Sequence, residues 1–194
     1  MSKQEIADFC DTHDACYFGK SWAVNNCDSM HEVWLTARPD WLIWVATSPG
    51  VLPERDLRLF ACWCVRQVWH LLTDERSKNA VIVAEKYAVG EATAEELAAA
   101  CVAAKSATAA KSAAAAARAA RAEAKLTAVQ VAELSAASAA EWAAAPEWAA
   151  LAEWAACVAE AAAEAQKVAQ AEAREAQALY LRDRFSPFLK EGLK

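Results

Sequence analysis

"TAEELAAACVAAKSATAAKSAAAAARAARAEAK", residues 93–125, decides the fold class. Alanine dominates it, and alanine is the strongest helix former because it loses almost no side-chain entropy on folding. Composition this biased is often disordered. Alanine interspersed with Glu, Lys and Arg reads instead as long helix. The stretch also carries its own start signal, because Thr93 and Glu96 have capping-box spacing. Thr127 and Gln130 form another such box, with Leu126 and Val131 as its hydrophobic staple, so a helix break is expected near Lys125.

Working outward, roughly half of the residues from 92 to about 178 are alanine. Upstream lie six of the nine tryptophans and all three histidines. Almost no strand signal occurs anywhere. The expected fold is all-α, a helical bundle with an N-terminal Trp-rich core and long alanine-rich antiparallel helices. The composition shift predicts two parts: a Trp- and Cys-rich subdomain over 1–91, and an alanine-rich subdomain over 92–194 packed on it.

Helix boundaries in the first part are legible. Ser29 with Glu32 makes a capping box before "MHEVWLTA", and Asp40 after Pro39 is placed to cap "WLIWVATS". Pro53 opens a helix expected to run from Glu54 to about Leu72. Asp74 caps the next helix, and Gly90 stops it. In the 54–72 segment, Leu57, Phe60, Ala61, Cys64, Val68 and Leu71 form one stripe, which Trp63, Val65 and Trp69 widen. A helix apolar nearly all round belongs in a core, so this one is expected at the centre, covered by the N-terminal and alanine-rich helices.

Downstream, "EWAAAPEWAALAEWAACVAEAAAE" (141–164) repeats Glu-Trp every six residues, which is not a helical period. Pro146 should end or kink the helix before it, separating Trp142 from Trp148 and Trp154. Trp142 then stands near a helix end among alanines, as a candidate exposed contact.

A net charge of −6 argues against a general nucleic-acid binder. Charges interrupt every apolar run before the roughly 18 residues that a membrane span needs. The start "MSKQEIADFCDTHD" lacks the apolar core of a signal peptide. Seven cysteines, an odd number, fit reduced thiols better than a disulfide framework, so a cytoplasmic location is expected.

The sharpest chemical candidate is a tetrahedral zinc site. Cys10, His13 and Cys16 follow at three-residue steps, and Cys27 and His31 are four apart. No CxxC knuckle accompanies them, and five ligands for four places is loose, so buried thiols and surface histidines are the favoured reading. Cys62 and Cys64 diverge on a helix and make neither a metal pair nor a disulfide. Cys64, His70 and Asp74 supply a nucleophile, base and acid by type only. No catalytic residues, metal or cofactor are assigned. Trp34, Trp41, Trp44, Trp63 and Trp69 read as core fillers ahead of an aromatic pocket. Lys111, Arg118 and Lys125 recur every seven residues with Arg121 beside them. This basic ridge reads first as a solvated face, and second as a receiver for an acidic partner or an anionic ligand.

"ARPDWLIWVA" and the segment "LRLFACWCVRQVWHLLTDERSKNAVIVAEKYAVGEATAEELAAA" resemble an uncharacterised alanine-rich helical family of bacteria and phages. The family's R-x-D-W-x-x-W element is matched by Arg38, Asp40, Trp41 and Trp44, and its cysteine-bearing helix by Cys62 and Cys64. Tyr87 stands where that family usually has tryptophan, and "LRDRFSPFLK" resembles its closing element. Some members are labelled immunity proteins, which neutralise a toxin by binding it.

The lack of a catalytic constellation and the long helices with segregated charge, together with this resemblance, lead to the expectation of a non-enzymatic binding protein that inhibits or sequesters a protein partner in bacterial or phage conflict, as an immunity-like or anti-defence inhibitor. The alternative is a sponge that holds an anionic nucleotide signal on Lys111, Arg118 and Arg121. Neither membrane nor nucleic acid is an expected partner, and a homo-oligomer stays open.

Overall fold

The computed structural model describes residues 3–67, 69–122 and 170–188. Among the described residues there are eight α-helices and no strand, so the fold is all-α. The helices are α1 (Lys3–Thr12), α2 (Tyr17–Asn26), α3 (Met30–Thr36), α4 (Pro39–Thr47), α5 (Glu54–Gln67), α6 (Glu75–Ala88), α7 (Ala94–Ala122) and α8 (Gln170–Arg184). A 3-10 turn, Trp69–Leu71, lies between α5 and α6. Among the described residues, no helix is long and apolar enough to cross a membrane.

The chain divides into two compact units, Met1–Leu52 with Arg174–Lys194, and Pro53–Ala173. The boundary expected at residue 92 lies in the turn between α6 and α7, two helices that pack on each other.

In the first unit α1 packs on α2 and α3 on α4. Ser29 Oγ accepts from the Glu32 amide at 3.2 Å, and the Glu32 carboxylate reaches back to the Asp28 amide at 2.7 Å. The capping box is therefore present, with its return bond one residue early. Asp40 does not cap α4. Pro39 takes the first helical position, where its fixed φ fits and its missing N–H costs nothing. That leaves Asp40 inside the first turn, and its carboxylate is held by Arg38 Nε at 2.6 Å.

The C-terminal segment belongs to this unit. Trp34 Nε1 donates to the Phe185 carbonyl at 3.1 Å. Arg182 donates to the carbonyls of Trp34 and Ala37, at the C-terminal end of α3. Those carbonyls lack helical partners, and a guanidinium there also complements the helix dipole.

In the second unit α6 packs on α5 and on α7. Its caps follow the expectation. Asp74 Oδ1 accepts from the Arg76 amide at 2.9 Å. Gly90 takes φ +81°, with Glu91 N–H on the Lys86 carbonyl and Gly90 N–H on that of Tyr87, a complete Schellman motif. Thr93 and Glu96 satisfy each other's amides at 2.7 and 3.2 Å, the full reciprocal box.

α5 is described over Glu54–Gln67, and the span expected to continue it to about Leu72 instead holds a 3-10 turn at Trp69–Leu71. No Gly or Pro marks that point, and the same apolar run serves either geometry. Arg58, a charged residue on α5, is only 2% exposed. Its guanidinium lies 5.3 Å from the centroid of Tyr87 and reaches Glu54 at 3.0 Å.

The α6–α7 seam is built of small side chains. Ala80, Ala84 and Ala88 are buried on α6, and Leu97, Ala100, Ala104 and Ala107 on α7, at three- and four-residue steps. Each alanine buries little apolar area, but a larger side chain has nowhere to go. Ala104→Leu should therefore destabilise by about 1–3 kcal/mol. Ala99→Leu, at an exposed position of the same helix, should stay within about 0.5 kcal/mol. Equal denaturation midpoints for the two variants would show that the seam tolerates extra volume.

Candidate functional site

The first unit contains a part-open cavity of about 350 Å³, within the size range of small-ligand sites. α1 contributes Phe9 and Cys10, α2 contributes Trp22, and α4 contributes Trp41 and Trp44. Helical spacing puts Trp41 and Trp44, three apart, on one face of α4. Trp22 meets Trp41 with ring centroids 5.3 Å apart, and Phe9 stands edge-on to Trp44 at 6.0 Å. These four rings form an apolar wall that is only half-buried.

The α1–α2 turn supplies the polar side. Asp14 adopts φ +55°, a left-handed conformation that Asp tolerates better than most residues. This lets the Ala15 amide reach the Cys10 carbonyl at 2.8 Å and close α1 without a glycine. Cys16 then caps α2, its sulfur accepting from the Gly19 amide at 3.3 Å. A Cβ added at Gly19 would stand 3.2 Å from the Cys16 sulfur and 3.6 Å from Trp41 Nε1, so glycine permits a close approach of α2 to α4.

Two carboxylates, Asp14 and Asp40, line the cavity, and among the described residues no Lys, Arg or His does. Asp40 is bound by Arg38, whose guanidinium also lies 4.8 Å from the centroid of Trp41. Burial pushes the Cys10 thiol above its ordinary range, with the nearby Lys20 opposing. That leaves Cys10 a poor nucleophile.

The five candidate zinc ligands do not form a centre. Among the described residues, no group of three or more His, Cys, Asp or Glu side chains could hold a metal ion. Cys10 and Cys16 stay at the cavity, and the His13 ring packs on Phe9 with centroids 4.4 Å apart. Cys27 is buried, its sulfur 3.7 Å from Thr36 Oγ1, and burial raises its pKa. His31 Nδ1 is buried without a hydrogen-bond partner among the described residues.

The Cys64, His70 and Asp74 combination separates as well. Cys64 is buried and His70 exposed, and the Asp74 carboxylate is occupied by the Arg76 amide and guanidinium. Burial pushes Cys62 up to about 12.

The tryptophans divide by role. Trp34 is a core residue, 1% exposed. Trp41 and Trp44 are cavity walls, and so is Trp22, which sequence reasoning did not single out. Trp69 lies under the Arg66 guanidinium at 4.0 Å, and Trp63 is half-buried on α5. Lys111, Arg118 and Arg121 fall on α7, where only the backbone is described. Lys125 and Trp142, like the break near Lys125 and the kink at Pro146, lie outside the described residues.

Fold and site define an all-α protein with an aromatic, acid-edged cavity in one of two units. Set against known protein families, curated proteins and solved structures, the chain finds no match.

Proposed function

We propose that this chain is a non-enzymatic binding protein that captures a protein partner, with the cavity of the first unit and its aromatic rim as the docking surface. The observation that carries this reading is the pair Tyr17 and Phe18, 79% and 76% exposed, between the lining residues Cys16 and Gly19. Their rings pack on each other at 5.7 Å rather than into the protein. Two large exposed aromatics beside an apolar recess are what a protein interface uses as anchors. A role in bacterial or phage conflict, against a toxin or defence effector, rests on the sequence resemblance. A cytoplasmic site of action fits the six free thiols among the described residues.

The test is a pull-down from a host lysate at low salt with the native chain, the Y17S/F18S variant and the K111A/R118A/R121A variant. A stoichiometric partner should be retained by the native chain, and its affinity should fall at least about tenfold for Y17S/F18S. Fold stability should move by no more than about 0.5 kcal/mol, because both side chains are already in water. Recovery of no stoichiometric protein would overturn the reading. Loss confined to the triple variant would move the interface to α7.

A further inference from the structure

Resting on the docking reading above, we infer that the cavity takes an arginine side chain presented by the partner. Three observations converge on a cation with a flat, weakly hydrated head. The wall is aromatic, lined by Phe9, Trp22, Trp41 and Trp44. A guanidinium stacks on such rings at little desolvation cost.

The second observation is charge. Asp14 and Asp40 line the cavity with no basic residue among its described lining. The nearby cations are already paired, Arg38 with Asp40 and Lys20 with Asp11, so an entering anionic group would meet carboxylates first. Asp40 already has Arg38 as partner. Asp14 makes no ion pair among the described residues. It sits in a turn whose left-handed backbone holds it at the cavity edge.

The third is a working example within the chain. Arg38 is held by an aromatic face and a carboxylate together, 4.8 Å from the Trp41 centroid and 2.6 Å from Asp40 Oδ1. Asp14 lines the same cavity as Phe9, Trp22 and Trp44, a second carboxylate in an aromatic setting. The volume of about 350 Å³ accepts a long side chain and ordered water. Arginine fits better than lysine because its planar fork can pair with a carboxylate while its face lies on a ring.

The experiment is a titration of the full-length chain with three probes, N-acetyl-arginine amide, its citrulline analogue and N-acetyl-glutamate amide, followed by calorimetry and tryptophan fluorescence. Citrulline keeps the shape and removes the charge. The arginine probe should bind at millimolar concentration, at least about tenfold more tightly than citrulline, with no binding of glutamate. Asp14→Asn and Trp44→Leu should each weaken the arginine probe about tenfold, with circular dichroism unchanged.

Equal binding of arginine and citrulline, binding of glutamate, or no binding of any probe would overturn the inference. So would an Asp14→Asn variant that binds as the native chain does. The docking reading fails separately. If the arginine probe binds as stated while Y17S/F18S keeps the partner, the cavity chemistry stands and the rim is not the interface.

Discussion

Trp34→Ala is expected to cost about 3–5 kcal/mol, enough to leave the first unit near the edge of folding. The indole is 1% exposed, so removing it opens a cavity that buried neighbours can only partly fill. Its ring stands 6.1 Å from that of Phe188, and its Nε1 satisfies the Phe185 carbonyl. Alanine loses the packing and leaves that carbonyl without its donor. Trp34→Phe separates the two effects, since it keeps most of the volume and removes the N–H. It should cost less, with a hydrogen-bond share of about 1 kcal/mol. Urea unfolding of both variants, followed by circular dichroism, measures the difference. A loss below about 1.5 kcal/mol for Trp34→Ala would mean the site collapses around the gap, or that Trp34 is not an anchor.

The second large effect is expected from removing residues 174–194. Ala178 and Leu181 on α8 are fully buried, and Phe185 nearly so. Their loss withdraws apolar burial worth roughly 1.5–3 kcal/mol for each large side chain. It also uncaps α3, because Arg182 donates to the Trp34 and Ala37 carbonyls. The truncated chain should lose cooperative unfolding of residues 1–52 while the α5–α7 packing, all within Pro53–Ala173, persists. Hydrogen exchange resolves this directly. Protection should vanish from α1–α4 and remain in α6 and the start of α7. Unchanged protection of α3 would show that the segment decorates the unit rather than completing it. A milder variant, Arg182→Met, keeps the aliphatic stem and removes the donors, and should cost about 1–3 kcal/mol.

The proposed site was only partly visible beforehand. Trp41 and Trp44 were flagged as aromatic residues with helical spacing, but spacing says that they share a face, not what the face meets. Trp22 lies on another helix, and nothing local ties it to Trp41. Asp14 offered no sign either, because its place at the cavity depends on a left-handed residue that glycine would normally have announced. Tyr17 and Phe18 follow a capping cysteine on a short helix, and nothing local distinguishes these exposed rings from the buried Phe60.

What the sequence determined by itself was local and helical. The boxes at Ser29 and Thr93, the cap at Asp74 and the stop at Gly90 all involve bonds spanning five residues or fewer, so their partners are named by spacing alone. Alanine content determined the helical class for the same reason, since propensity is a property of single residues. Only the tertiary structure decided that the C-terminal segment completes the N-terminal unit, through a hydrogen bond between residues 151 apart. It also decided that Arg58 is buried beside Tyr87, and that two tryptophans on α4 wall a cavity while Trp34 fills a core. Each of these depends on which helix faces meet, and a helix carries no mark of its partner beyond the width of its apolar stripe.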